Sequence, residues 1–287
     1  MKIAFLNNTR KEQYHFNHMA AISTMLALAY PSRIVMLENH YGPNSLNSGF
    51  YGRERREYGN TREEYLFQPK GLDMFIRNNI DQATWEDVIE NSLLEVIQNR
   101  LYYMPQGRFL NHLAYEYAFH SEIHKLISEL NQYADYVFID TMSSNNLSTK
   151  LILEQSDLVV VQLSQEFHVL EEFFENYSSL CNKAVFLINN YKSNSIYSVR
   201  YITNRYHISK NSITPITFNM QLSEAYLQGF LISFLSNNFR VNAEHENYRI
   251  ICELKRAVQI IVKYAKERKL CYAKEAQTIN EAVHCRS

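Results

Sequence analysis

The sequence has 287 residues, of which 46% are hydrophobic and 21% charged, with a formal net charge of −1. The length suits one large α/β domain or two small ones, and so small a net charge gives no global attraction to nucleic acid or anionic lipid. The four cysteines are far apart and form no C-x-x-C pair, which argues against a disulfide framework or zinc finger. No signal peptide and no run of about 20 apolar residues is found, so we expect a cytoplasmic protein without a transmembrane segment.

Short apolar runs alternate along the chain with longer segments of helical period. The runs predict strands at residues 2–7, 33–38, 101–104, 136–140, 158–163, 184–189 and 213–218. The periodic segments predict helices at residues 17–30, 71–79, 84–99, 111–132, 147–155, 167–180, 197–206 and 221–270, with Thr84 as an N-cap.

This alternation of strands and helices predicts an α/β fold with a doubly wound, mostly parallel sheet flanked by helices. Three of the strands, YVFID, LVVVQL and AVFLIN, are continuously apolar, as expected when helices cover both faces of the sheet. No internal repeat or linker is visible, so we expect a single domain over residues 1–270, followed by a C-terminal tail at 271–287. The charged segment 41–70 is long for a loop in a compact domain.

Ligands of open parallel sheets bind at the carboxyl ends of the strands. The polar residues that follow the predicted strands are therefore the candidates for a functional site. Glu38 and His40 follow the second strand, Asp140 ends YVFID, and Asn189 ends AVFLIN.

Four segments carry a family resemblance. They are NHMAAIS with RIVMLENH, then YADYVFIDTMSSNNLSTKLILEQSDLVVVQLSQ, then KAVFLINNY, and finally ITFN with a following Leu222, Glu224-Ala225 and Gly229. In order and spacing they resemble the ParA/MinD-type P-loop NTPases, the family with a deviant Walker A loop, from residue 1 to about 235. The resemblance implies the Walker B position for Asp140, an adenine contact for Asn189, and switch-like positions for Glu38 and His40. It also implies a homodimer.

The phosphate-binding loop departs from this family. No glycine and no Gly-Lys-Ser/Thr occurs between Asn7 and Met19, although such loops use glycine backbone and lysine to hold phosphates. Bulky residues (Tyr14, His15 and Phe16) lie where open backbone is needed, and only Arg10 or Lys11 is left to imitate the signature lysine. We therefore expect no ATPase activity, and either no cofactor or, if the nucleotide site persists, ATP with Mg²⁺ near Asp140.

Histidines and a basic helix offer alternative sites. His15, His18 and His40 converge on one sheet edge in the predicted fold, as a metal site requires, although such histidines are more often packed or solvated. His120 and His124 lie one helical turn apart without an H-E-x-x-H pattern. Lys255, Lys263 and Lys266 give the last helix a basic face that DNA-binding relatives use, whereas Leu254 and Val258 indicate ordinary packing with solvated lysines.

Three functional hypotheses follow. The first is a non-hydrolysing ParA/MinD-like protein that binds a protein partner in partition, positioning or regulation, with the charged segment 53–64 as a candidate contact surface. The second is an ATP-binding partition-type ATPase with a non-standard loop at Arg10 or Lys11. The third is a DNA-binding accessory protein that uses the basic helix.

Overall fold

The computed structural model describes residues 1–8, 18–41, 46–51, 70–78, 84–142 and 147–284. Eight strands form one sheet in the order β3-β4-β2-β5-β1-β6-β7-β8, and every neighbouring pair is parallel except β3 with β4. The predicted doubly wound, mostly parallel sheet is therefore confirmed. The strands are β1 (Lys2–Asn7), β2 (Ile34–Glu38), β3 (Leu94–Ile97), β4 (Leu101–Tyr103), β5 (Tyr136–Met142), β6 (Leu158–Leu163), β7 (Ala184–Asn189) and β8 (Ile213–Ile216).

The helices of the described residues lie on both faces of the sheet. In chain order they are α1 (His18–Ala29), α2 (Asn47–Tyr51), α3 (Leu72–Asn78), α4 (Trp85–Ser92), α5 (His112–Tyr133), α6 (Leu147–Gln155), α7 (Phe167–Asn176), α8 (Val199–Arg205), α9 (Met220–Gln228), α10 (Leu231–Asn238) and α11 (Tyr248–His284). None of the described helices is long and apolar enough to cross a membrane.

The sheet separates two hydrophobic cores because its side chains alternate between faces. On β5, Phe138 belongs to the core that α1 and α11 cover, whereas Val137 and Ile139 belong to the core beneath α5, α6 and α7. Asp140 lies two residues after Phe138, so the alternation places it on the α1 face. The same parity places Glu38, two residues after Met36, on that face.

One predicted helix is in part a strand. The single helix expected over residues 84–99 ends at Ser92, and Leu94–Ile97 forms β3. Thr84 is the N-cap, as predicted, and its hydroxyl accepts the N–H of Asp87 at 3.3 Å. Asn99, with φ of 58°, lies in the tight connection that folds β3 back against β4. The antiparallel pairing therefore takes these residues out of the helix.

The C-terminal part of the chain contains three helices where a single helical stretch was predicted. The helical stretch expected at residues 221–270 breaks after Gln228, where Gly229 takes a left-handed conformation with φ of 78°. Asn219 caps α9 by accepting the N–H of Leu222 at 2.8 Å. Asn219 of the ITFN motif and the later Gly229 thus cap the two ends of α9. In α11 a buried stripe that includes Leu254, Val258, Ile261 and Ala265 packs on the domain.

Candidate functional site

Polar side chains meet at the carboxyl ends of β2, β5, β1, β6 and β7, called here the carboxyl edge. The register pairs Glu38 of β2 directly with Asp140 of β5. His40 follows Glu38 by two residues and lies beside both carboxylates. Its Nε2 is 3.7 Å from Oε1 of Glu38 and 3.4 Å from Oδ2 of Asp140. Glu38, His40 and Asp140 form the charged cluster.

Glu38 is held by a dense set of donors. Its Oε1 accepts the backbone N–H of Leu46 at 2.7 Å, and its Oε2 accepts the hydroxyl of Tyr103 at 2.7 Å and the amide of Gln106 at 3.2 Å. The hydroxyl of Tyr115 donates to the Glu38 carbonyl at 2.6 Å. Glu38 is 2% exposed, and these donors replace the water that burial removes.

The pKa of Glu38 is raised above its usual range because burial disfavours the charged carboxylate. His40 and the Tyr103 hydroxyl oppose that rise, whereas the neighbouring Asp140 adds to it. Asp140 is buried as well, at 5% exposure. The charged cluster thus places two carboxylates in a region of low solvent access.

The segment after β2 is tied to β5 and α6. The backbone N–H of Asn39 donates to the Asp140 carbonyl at 2.8 Å. The Asn39 side-chain amide reaches the hydroxyls of Thr141 and Thr149, at 3.4 and 3.1 Å. These bonds fix the chain on both sides of the charged cluster.

A second cluster at the same edge contains His18, Gln162 and Asn189, and is called the amide cluster. His18 begins α1 and is hydrogen-bonded to Gln162, while the Asn189 amide donates to Oε1 of Gln162 at 3.3 Å. Burial lowers the pKa of His18 to about 4, against the opposing effect of the Gln162 hydrogen bond. His18 is therefore neutral at pH 7.

Three buried polar atoms near the amide cluster have no hydrogen-bond partner within the described part of the chain. They are Oδ1 of Asn8, Oγ of Ser164 and Oδ1 of Asn189. These residues follow or end β1, β6 and β7, which are neighbours in the sheet. Buried polar atoms of this kind are normally satisfied, so this end of the three strands has unused hydrogen-bonding capacity.

Several other predicted candidates lie in the segment 9–17. Arg10, Lys11, Tyr14, His15 and Phe16 lie outside the described residues. His120 and His124, the predicted histidine pair of α5, each contact a different residue of α6. His120 contacts Ser148 at 3.4 Å, and His124 contacts Gln155.

The basic face of α11 is divided. The Lys255 ammonium donates to the Phe239 carbonyl and lies 4.4 Å from the centre of the Phe239 ring. These contacts hold the Lys255 side chain against the domain. Lys263 and Lys266 are exposed, and Lys263 is 3.9 Å from Glu267 in an i,i+4 pair.

Sequence reasoning identified the members of the charged cluster separately and missed the contact among them. The residues that support Glu38, namely Tyr103, Gln106 and Leu46, were missed altogether, as was Gln162. The order of the strands is the missing information, because it makes β2 the neighbour of both β4 and β5.

No protein-family model matches the sequence, and no curated protein matches it significantly. Several solved structures are similar to this chain in fold. A ParA-family ATPase from Chlorobium tepidum is 12% identical, with a TM-score of 0.65 over 90% of this chain and 98% of its own. MinD in the MinC:MinD complex of Aquifex aeolicus is 12% identical, with a TM-score of 0.61 over 92% and 96%.

A third structure is described as a plasmid partition protein of Borrelia burgdorferi bound to AMPPNP. It is 18% identical to this chain, with a TM-score of 0.54 over 91% of this chain and 98% of its own. At such identities the likeness shows the fold, so this chain has the fold of the ParA/MinD P-loop NTPases.

Proposed function

We propose that this chain is a divergent ParA/MinD-like protein that does not hydrolyse ATP and acts in partition or positioning by binding a protein partner. Its fold is that of partition and cell-division ATPases. One of these similar structures is a complex with a second protein, MinC. The sequence between Asn7 and Met19 lacks the glycines and the Gly-Lys-Ser/Thr of a phosphate loop.

The observation that carries the proposal is the charge at the carboxyl edge. Glu38 and Asp140 are both buried there, and His18 at the start of α1 is kept neutral by burial. A nucleoside triphosphate is a polyanion, and its transfer reaction needs positive groups around the phosphates. Neither the two carboxylates nor the neutral His18 supplies such a positive group.

The carboxylate of Glu38 is also a poor candidate for orienting an attacking water. It already accepts hydrogen bonds from Leu46, Tyr103 and Gln106. Its one open position is on Oε1 beside His40, so turning the carboxylate towards a water costs one or more of these buried bonds, at about 1–3 kcal/mol for each donor left unpaired.

A surface for a partner is supported by apolar residues at the start of α5. Leu113 and Tyr117, one turn apart on α5, are 73% and 81% exposed, and Leu110, just before the helix, is 98% exposed. Clusters of large exposed apolar side chains commonly mark contacts with other proteins. The structure thus offers an apolar row for a protein surface beside the charged cluster, because Tyr115 in the same turns of α5 donates its hydroxyl to the Glu38 carbonyl.

The loss of hydrolysis is tested by measuring phosphate release from ATP with Mg²⁺, using the wild type and Asp140→Ala. We expect the two proteins to give the same signal, equal to the buffer blank. Magnesium-dependent turnover that Asp140→Ala abolishes contradicts the proposal and favours the ATPase with a non-standard loop.

Partner binding is tested by affinity enrichment from the native cells, comparing the wild type with a variant that carries Leu113→Ser and Tyr117→Ser. The matched control is Ile196→Ser, a change at another exposed apolar residue, which is 76% exposed. We expect a specific protein to be enriched by the wild type and the control and lost with the α5 variant. That protein, once purified, should bind the wild type directly. Equal enrichment by all three proteins argues against the α5 surface.

A further inference from the structure

The charged cluster has the ligand types and the spacing of a metal site. Its three side chains offer Oε1 of Glu38, Nε2 of His40 and Oδ2 of Asp140, and these atoms lie within 4.8 Å of one another. Two of the three separations are 3.7 Å and 3.4 Å. Zinc binds histidine nitrogen at about 2.0–2.1 Å and carboxylate oxygen at about 2.0–2.2 Å, so neighbouring ligands of a tetrahedral site lie roughly 3.3–3.5 Å apart. The His40 distances are already near this value.

The hydrogen bonds of Glu38 leave it one position for a metal. A carboxylate has about four lone-pair positions. Tyr103 and Gln106 use Oε2, and Leu46 takes one position on Oε1. The position left is on Oε1, the atom that lies 3.7 Å from His40. Donors that hold the second oxygen of a ligating carboxylate are typical of the residues around metal ligands.

Charge balance also favours a divalent ion. Glu38 and Asp140 are both buried, and a neighbouring positive charge stabilises buried carboxylates. A dication supplies two positive charges and leaves His40 neutral, as a ligand requires. All three ligands and the donors to the Glu38 carboxylate belong to the described residues.

The set of one nitrogen and two oxygens narrows the choice of metal. Mg²⁺ takes oxygen ligands in octahedral geometry and keeps several waters. Imidazole with carboxylates suits zinc and its first-row neighbours. We propose that Glu38, His40 and Asp140 bind one zinc-class divalent ion directly, without nucleotide, and leave a fourth position open. This inference goes beyond the proposed function and does not depend on it.

The test uses the full chain, stripped with a chelator and then titrated with Zn²⁺ or Mg²⁺ by calorimetry and thermal denaturation. We expect one zinc per chain, and a rise in Tm of roughly 5 °C or more at zinc concentrations about 100-fold above Kd. Mg²⁺ at the same concentration should have no effect. Cobalt should give the intense visible bands of a tetrahedral rather than an octahedral site.

The decisive variant is His40→Ala, and the matched control is His168→Ala. His168 also contacts a carboxylate, with its Nε2 3.4 Å from Oε2 of Glu166, but both side chains are about half exposed. We expect His40→Ala to weaken zinc binding by about 100-fold or more and His168→Ala to leave it unchanged.

Asp140→Asn provides a second test that keeps the volume of the side chain, in case His40→Ala unfolds. It should also weaken zinc binding strongly. Absence of zinc binding to the wild type overturns the proposal and leaves His40 as the cation of an ion triad. Equal affinities of wild type, His40→Ala and Asp140→Asn overturn it as well, because zinc then binds elsewhere. An equal response to Mg²⁺ overturns the assignment of the metal class.

Discussion

The charged cluster and the amide cluster lie at the same edge of one sheet, yet the first contains two buried acidic side chains and the second contains neutral ones. Glu38 and Asp140 keep two carboxylates buried, and three donors support Glu38. In the amide cluster His18 is held neutral among amides. One strand, β1, lies between β5 of the charged cluster and β6 of the amide cluster. The difference indicates that local hydrogen-bond donors, rather than the edge as a whole, decide where a carboxylate can be buried.

The two clusters also differ in how far apart in the sequence their hydrogen-bond partners lie. The donors around Glu38 belong to β4, to the segment after it and to the start of α2, so the charged cluster depends on distant parts of the chain. Among the described residues, the amide cluster joins α1 to β6 and β7. We therefore expect disruption of the charged cluster to cost more stability than disruption of the amide cluster.

The largest effect is expected for Glu38→Ala, which leaves three donors buried without their acceptor. We expect the free energy of unfolding to fall by about 4 kcal/mol, the range for breaking a buried charged network. Urea denaturation measures it. Glu166→Ala removes a carboxylate that is 48% exposed and should change stability by no more than about 0.5 kcal/mol. A loss below about 1 kcal/mol for Glu38→Ala means that the donors around it find other acceptors.

The next effect is a pH dependence that arises from His18. The pKa of His18 is about 4 in the folded protein and 6.5 in the unfolded chain, so the unfolded state binds more protons between these values. Stability is therefore full above pH 6.5 and falls as the pH falls, by about 3 kcal/mol between pH 7 and pH 4.

Other groups titrate in the same range, so this contribution is obtained as a difference between two proteins. Urea denaturation of the wild type and His18→Gln across this pH range gives two curves. The wild type should lose about 3 kcal/mol more than the variant on acidification. Parallel curves contradict a neutral, buried His18.

The sequence predicts much of this fold because its central strands are unambiguous. The ranges Lys2–Asn7, Leu158–Leu163 and Ala184–Asn189 were predicted with the bounds that the structure has, since continuous apolar runs favour strands covered on both faces. Leu94–Ile97 was assigned to a helix, because LLEVI fits either period. Its pairing with β4 is a contact that no local pattern contains.

The sequence predicted several residues of the candidate site, but it did not predict which of them contact one another. Glu38, Asp140 and Asn189 were found because strand ends are visible in the sequence. The carboxylate pair depends on β2 lying next to β5, and the donor Tyr103 depends on β4 lying next to β2. The neutral state of His18 depends on its burial, which a sequence does not reveal.

The smallest effect is expected for Asn189→Ala in the amide cluster. The change removes the donor to Gln162 and leaves no charge unpaired, so we expect a loss of about 1–2 kcal/mol in urea denaturation. The loss should stay the same at pH 7 with and without Mg²⁺-ATP, because we propose that no nucleotide contacts Asn189. An ATP-dependent gain in stability of the wild type that is absent from Asn189→Ala contradicts this and restores the adenine contact that the family resemblance implies. A loss as large as that of Glu38→Ala removes the distinction between the two clusters, since an amide then matters as much as a buried carboxylate.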